Sequence, residues 1–181
     1  MAAPSPAVIV VMGVSGAGKT TIGKLLAARL GWIFRDGDEF HPRANVEKMR
    51  SGVPLTDEDR WPWLHAIAEW IDRTRHKNGR AVTAPSVLKR SYRDIVIGER
   101  PDVRLVFLDG APELIARRVA ARRGHYMPAR LLDSQFAALE PPGRDENPIR
   151  VSIEPPPEAI VSNIIEQLGA ESVLPIEETQ K

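Results

Sequence analysis

The chain has no cysteine at any of its 181 positions, which excludes disulfides and thiolate-ligated metals and agrees with a reducing compartment. It also lacks a charge excess. With 25 Lys+Arg against 24 Asp+Glu the formal net charge is +1, so the broad basic field of a nucleic-acid binder is missing and any preference for anions must be local. No apolar run approaches the length of a membrane span. The first apolar run has no basic segment before it, so it reads as a strand and not as a secretion signal. Internal repeats are absent too. These absences leave a soluble cytoplasmic protein as the expectation, of a length that suits one domain with a real core.

What is present starts at Gly13-Val14-Ser15-Gly16-Ala17-Gly18-Lys19-Thr20, the full G-x-x-x-x-G-K-[ST] phosphate-binding spacing. The β-branched run Ala7–Met12 precedes it as a buried strand. Ile22, Leu25, Leu26 and Leu30 follow on one helical face. Glycines at such a strand-to-helix turn let the backbone wrap a polyphosphate, whose charge the helix N-terminus favours. Lys19 is expected on the β- and γ-phosphates and the Thr20 hydroxyl on Mg²⁺.

Gly31 ends that helix, and Trp32–Arg35 resumes as a second strand. It stops at Asp36-Gly37-Asp38, two carboxylates at the strand edge where open parallel sheets bind ligands. Residues 39–51 read as a short helix or helical loop. A longer helix is expected to start near Asp59, with Pro62 in its first turn and Arg60 beside its positive end, and to run to about Arg75. Its tryptophans read as core. Further strands are expected at Arg80–Ala84, Val103–Leu108 and Ile149–Ile153, with helices opening at Val87 and spanning Pro112–Arg123, Ala129–Leu139 and Pro156–Leu168. From Arg117 to Arg130 there are five arginines and no acid, which favours an anion-facing role over a solvated face of alternating sign. Strands alternating with helices imply a parallel sheet covered on both faces.

Several blocks together resemble the thermoresistant-type gluconokinases. They are the phosphate loop, Asp36-Gly37-Asp38 followed by His41-Pro42, Pro54-Leu55-Thr56-Asp57-Glu58-Asp59-Arg60-Trp61-Pro62-Trp63-Leu64, Leu88-Lys89-Arg90-Ser91-Tyr92-Arg93-Asp94, and Gly124-His125-Tyr126-Met127-Pro128 with Ser134-Gln135-Phe136. The phosphate loop alone says only that a nucleotide binds; the D-G-D-x-x-H-P and L-T-D-E-D-R-W-P-W-L blocks are far narrower. The resemblance covers about Val8 to Leu168.

It implies a P-loop NTPase fold of three α/β/α layers similar to shikimate kinase, with a five-stranded parallel sheet, a helical substrate-binding segment and a lid at about 122–130. The domain would span 1–170, followed by a flexible tail over 171–181. It further implies ATP- and Mg²⁺-dependent phosphorylation of D-gluconate on O6, feeding the pentose phosphate and Entner–Doudoroff routes. Gly13, Val14, Ser15, Gly16, Ala17, Gly18, Lys19, Thr20 and Thr21 would hold the nucleotide. Mg²⁺ would sit on Thr20 and, through water, on Asp36, and Asp38 would act on the substrate hydroxyl as proton acceptor or orienter. Arg60 is the first candidate for the substrate carboxylate, because a planar fork matches it bidentately; His41, Lys89, Arg90 and His125 come next. His65 and His76 stay structural. Arg118 and Arg122, one helical turn apart, would close on the phosphates and on charge at the transferring group. Similar gluconokinases are often dimers, whereas the residues themselves set no oligomeric state.

One position departs from the family pattern. Ala84-Pro85-Ser86-Val87-Leu88-Lys89-Arg90 stands where A-C-S-A-L-K-R is usual, so a proline replaces a cysteine beside the expected pocket. Two other readings stay open at this point: a shikimate kinase-like or other small-molecule kinase, and a catalytically silent nucleotide-binding regulator.

Overall fold

The computed structural model describes residues 5–122 and 129–169. Five short strands, β1 (Val8–Met12), β2 (Ile33–Asp36), β3 (Ala81–Ala84), β4 (Val103–Asp109) and β5 (Ile149–Ser152), pair in the order β2-β3-β1-β4-β5. Every pairing is parallel. Parallel neighbours require crossovers, and these are supplied by α1 (Lys19–Leu30), α2 (Arg43–Arg50), α3 (Asp57–His76), α4 (Arg90–Val96), α5 (Pro112–Ala121) and α6 (Ala129–Ala138), while α7 (Pro157–Leu168) follows the last strand and packs back on α1.

The strand alternation sorts the core into two halves. Ile9 and Val11 of β1, with Val106 and Leu108 of β4, face α1, α5, α6 and α7 through residues such as Leu26, Ile115, Leu132 and Ile164. Val8, Val10 and Met12, with Leu105 and Phe107, face α3 and α4 through Leu64, Ile67, Tyr92 and Val96. Both faces of the sheet are therefore covered, which is why β1 carries no polar residue and is fully buried. The result is the three-layer α/β/α arrangement with the five-stranded parallel sheet that the sequence implied. Among the described residues, no helix is long and apolar enough to cross a membrane.

Helix α3 starts two residues earlier than the sequence reading placed it. Thr56 caps it: its hydroxyl accepts from the Asp59 amide at 3.2 Å, and the Asp59 carboxylate accepts from the Thr56 amide at 2.8 Å. Pro62 consequently falls in the second turn, where it withholds an N–H from the Glu58 carbonyl. The capping box and the buried face of Trp63, Leu64, Ile67 and Ile71 outweigh that loss.

The other end of the α3–α4 layer is tied by a buried arginine. Arg93, 1% exposed, forms a two-pronged pair with Glu146 (2.6 and 3.0 Å), and its Nη1 donates to the carbonyls of Val87 (3.1 Å) and Leu88 (3.0 Å). The loop leaving β3 is thus held from inside the molecule. Removing one partner of such a pair strands a desolvated charge, so Glu146→Ala should lower stability by about 3 kcal/mol, read from the urea unfolding midpoint.

Candidate active site

The loop between β1 and α1 has the backbone its glycines promise. Gly16 (φ +85°) and Gly18 (φ +95°) are left-handed, and a Cβ on Gly16 would stand 2.4 Å from the Val119 side chain. Val14 and Ala17 turn their side chains into the core, so only their backbone is left for a phosphate. Lys19 Nζ donates to the Val14 carbonyl at 3.1 Å, bending over the loop.

Beside the loop, β2 ends in Asp36. Its Oδ2 accepts from the Thr20 hydroxyl at 2.7 Å, and its Oδ1 accepts from the Asp38 amide at 3.0 Å. The two acids sit on a short 3-10 turn (Gly37–Phe40) whose Gly37 is wedged between two neighbours. A Cβ there would lie 2.5 Å from Pro85 Cα, and the Gly37 carbonyl accepts from Trp63 Nε1 at 2.8 Å. Burial pushes Lys19 down to about 8 although Asp38 and Asp36 pull the other way. Burial and the neighbouring Asp36 raise the Asp38 carboxyl above its ordinary range, with Lys19 opposing. Among the described residues no cluster of three His, Asp or Glu side chains could hold a metal ion unaided. The Thr20 hydroxyl and the Asp36 carboxylate in contact with it are oxygen donors of the kind Mg²⁺ takes beside phosphate and water.

A cleft of about 660 Å³ opens from this loop toward α2, α3 and α6, and it collects most of the expected residues: Ser15, Gly16, Gly18, Lys19, Thr20, Asp36, Asp38, His41, Arg60, Lys89 and Arg122. His41 stacks on Trp63 with ring centroids 4.4 Å apart. Its Nδ1 lies 3.4 Å from the Asn45 amide nitrogen, an arrangement that places the ring hydrogen on Nε2. Burial, reinforced by Arg60, pushes His41 down to about 4, so at neutral pH it offers a hydrogen bond and no charge. Arg60 is held by the Leu55 carbonyl at 2.7 Å and lies 4.0 Å from Asp57.

Three expected ligands, Thr21, Arg90 and Arg118, are elsewhere. Arg90, expected on the substrate, pairs with Asp145 at 2.6 Å while its amide donates to Glu140 at 2.7 Å; it braces the chain after α6 and does not line the cleft. Arg118 donates to the Ile153 carbonyl at 2.7 Å, so of the two arginines one turn apart only Arg122 lines the cleft. Thr21 is exposed and lines no part of the cleft. His125 and most of the expected lid lie outside the described residues.

The cleft also uses residues that the sequence reading did not assign. Tyr92 lies three residues after Lys89, and Ser86 follows Pro85 directly. On α6, Leu131, Ser134, Gln135 and Ala138 recur at helical spacing along one wall, and the Gln135 side-chain carbonyl accepts from the Ser15 amide at 3.4 Å. Trp63, read as core, is both core and wall: it is 3% exposed yet carries His41. Ser86, Tyr92, Ser134 and Gln135 stand inside the quoted blocks without a role, whereas Leu131 and Ala138 lie outside them.

A family profile described as an AAA domain matches residues 8–142. The chain is 48% identical over 166 residues to the gluconokinase of Gluconobacter oxydans, covering 92% of this chain and 93% of that one. A crystal structure of a gluconokinase from Sinorhizobium meliloti superposes with a TM-score of 0.82 at 40% identity, covering 91% of this chain and 93% of that one. Shikimate kinase from Aquifex aeolicus shares the fold at 18% identity and a TM-score of 0.56, over 90% of this chain and 96% of that one. Fold and site together define an ATP-using P-loop kinase of small molecules. Within that class the chain belongs to the gluconokinase family.

The depressed His41 makes folding acid-sensitive with a definite sign. The unfolded histidine takes its proton near 6.5 and the folded one only near 4, so between those values the proton favours the unfolded chain. The urea midpoint should fall as pH drops from 7 to 5, and His41→Gln should show a smaller fall over the same interval.

Proposed function

We propose that this protein is a gluconokinase that transfers the γ-phosphoryl group of ATP to O6 of D-gluconate, giving 6-phospho-D-gluconate and ADP. The observation that carries the reading is that one cleft holds the phosphate loop with Asp38 and also the cations Arg60 and Lys89. Gluconate carries its carboxylate and its O6 hydroxyl at opposite ends and needs both. Near half-identity to a gluconokinase over most of both chains supports the same acceptor.

In this reading the backbone of residues 13–19 wraps the polyphosphate and Lys19 neutralises its β- and γ-oxygens. Thr20 and Asp36 would hold Mg²⁺, which would supply further neutralisation of the phosphate charge. Asp38 accepts the proton of the attacking hydroxyl; its raised pKa makes it a better proton acceptor than an ordinary aspartate. Arg122, on the cleft wall, faces the charge that moves to the leaving phosphate. Arg60 takes the carboxylate as a fork with Lys89 sharing it, and neutral His41 donates from Nε2 to a sugar hydroxyl. A silent regulator would have no use for this complete set. The compartment we assign is the cytoplasm, on the supply of ATP and the lack of cysteine.

Coupled ADP-release assays with ATP and Mg²⁺ against gluconate, shikimate, glycerate, AMP and no acceptor test the proposal. Turnover confined to gluconate is expected, and a better rate on another acceptor overturns the substrate assignment. Asp38→Asn should lower kcat by about a thousandfold with ATP still bound. Arg122→Ala should lower kcat by about a hundredfold while the gluconate Kd stays close to its original value; equal losses in both would remove Arg122 from the phosphate end.

A further inference from the structure

Three of the groups that line the acceptor end of the cleft touch one carboxylate that does not line it. Asp57, the first residue of α3, receives Lys89 Nζ at 3.1 Å on each of its oxygens. It also accepts the Tyr92 hydroxyl and stands 4.0 Å from Arg60. Lys89, Tyr92 and Arg60 all face the cleft. Asp57 thereby joins the start of α3 to the start of α4 behind the cleft wall.

An ionised carboxylate can only accept hydrogen bonds. The phenol of Tyr92 must therefore spend its single proton on Asp57, and the lone pairs of its oxygen are what remain for a ligand. Burial and the bond to Asp57 hold that phenol above its ordinary pKa, so it keeps the proton throughout the neutral range. Lys89, with three donors, keeps at least one for a ligand after bonding Asp57. The wall thus presents a cationic donor next to a neutral acceptor, in fixed order. A carboxylate with an O–H beside it satisfies both at once, the carboxylate accepting from Lys89 and the O–H donating to Tyr92.

We propose that Asp57 is a specificity-determining positioning residue that fixes Lys89 as donor and Tyr92 as acceptor, so that the site selects 2-hydroxy acids by reading the carboxylate and its neighbouring hydroxyl together. The proposal rests on the gluconokinase reading and adds to it the reason for rejecting acids that lack that hydroxyl. A polar group built to bond a substrate hydroxyl is left unpaired by the analogue without it, which is a stronger discrimination than shape alone gives.

The test compares kcat/KM for D-gluconate with that for 2-deoxy-D-gluconate in the unmodified protein, Asp57→Asn, Asp57→Glu and Tyr92→Phe. Asparagine can donate as well as accept, so Asp57→Asn releases the polarity of the phenol, while Tyr92→Phe deletes its oxygen and leaves Asp57 in place. The unmodified protein should prefer gluconate by about tenfold or more, with the ratio collapsing in Asp57→Asn and Tyr92→Phe and partly restored in Asp57→Glu. The KM for ATP should stay within about twofold, because the phosphate loop is not involved. Should Asp57→Asn not fold, Tyr92→Phe decides alone. A lowered melting temperature with an unchanged ratio would make Asp57 purely structural and overturn the proposal, as would an unmodified protein indifferent to the 2-hydroxyl. No gluconate turnover by the unmodified protein overturns the functional reading and this proposal together, whereas turnover with the ratio intact in both variants overturns this proposal alone.

Discussion

A lysine drawn partly out of water between two carboxylates is the constraint around which the phosphate loop is built. Burial drives Lys19 toward neutrality, and Asp38 and Asp36 hold it back. Each acid is fixed in turn: Asp36 by the Thr20 hydroxyl, Asp38 by its amide on Asp36. The cluster is mutually dependent, since Lys19 lowers the Asp38 carboxyl while burial and Asp36 raise it. A polyphosphate entering the loop brings negative charge to Lys19 and so favours the charged form that phosphoryl transfer requires. Electrostatic preorganisation of this kind costs stability in the empty protein, and the fully buried β1 beside it is one of the elements that offset the cost.

The acceptor end repeats the logic with the signs reversed. There a carboxylate, Asp57, lies among Lys89, Arg60 and Tyr92, and the partners keep its carboxyl below the usual range, the Tyr92 hydroxyl first and Lys89 next. The position of Lys89 depends on Arg93, whose guanidinium bonds the two carbonyls immediately before it. A buried ion pair therefore sets where a cation of the cleft wall stands.

The nucleotide end was legible in the sequence because its chemistry is local. Gly16, Gly18, Lys19 and Thr20 lie within one turn of chain, and their spacing carries the geometry with it. The paired acids were legible for the same reason, as the end of a strand read from its hydrophobic run. Arg90 and Arg118 stand off the cleft because their partners, Asp145 and the Ile153 carbonyl, lie 55 and 35 residues away, and no periodicity announces such a contact. The family resemblance and their charge pointed both of them at the site. Tyr92 was missed for the opposite reason: a half-polar aromatic three residues after a lysine looks like ordinary amphipathic helix, and its role appears only when Asp57 arrives from another helix. The early start of α3 was readable in principle, since Thr56 followed by Asp59 is a capping signal, but Pro62 drew the boundary toward itself.

Pro85 shows how a departure from a family pattern is absorbed. A proline in a central strand would delete a ladder bond, and the pairing of β3 with β2 ends one residue earlier, at Asp36 opposite Ala84. Position 85 thus lies where the strand no longer needs an N–H. The ring is buried and its backbone packs so closely on Gly37 that no side chain fits between them. Rigid φ on one side, and the Trp63 indole bonded to the Gly37 carbonyl on the other, clamp the turn that carries Asp36 and Asp38. The proline beside the expected pocket stiffens the support of the two acids, because the constraint it adds falls on backbone whose conformation the glycine contact already fixes.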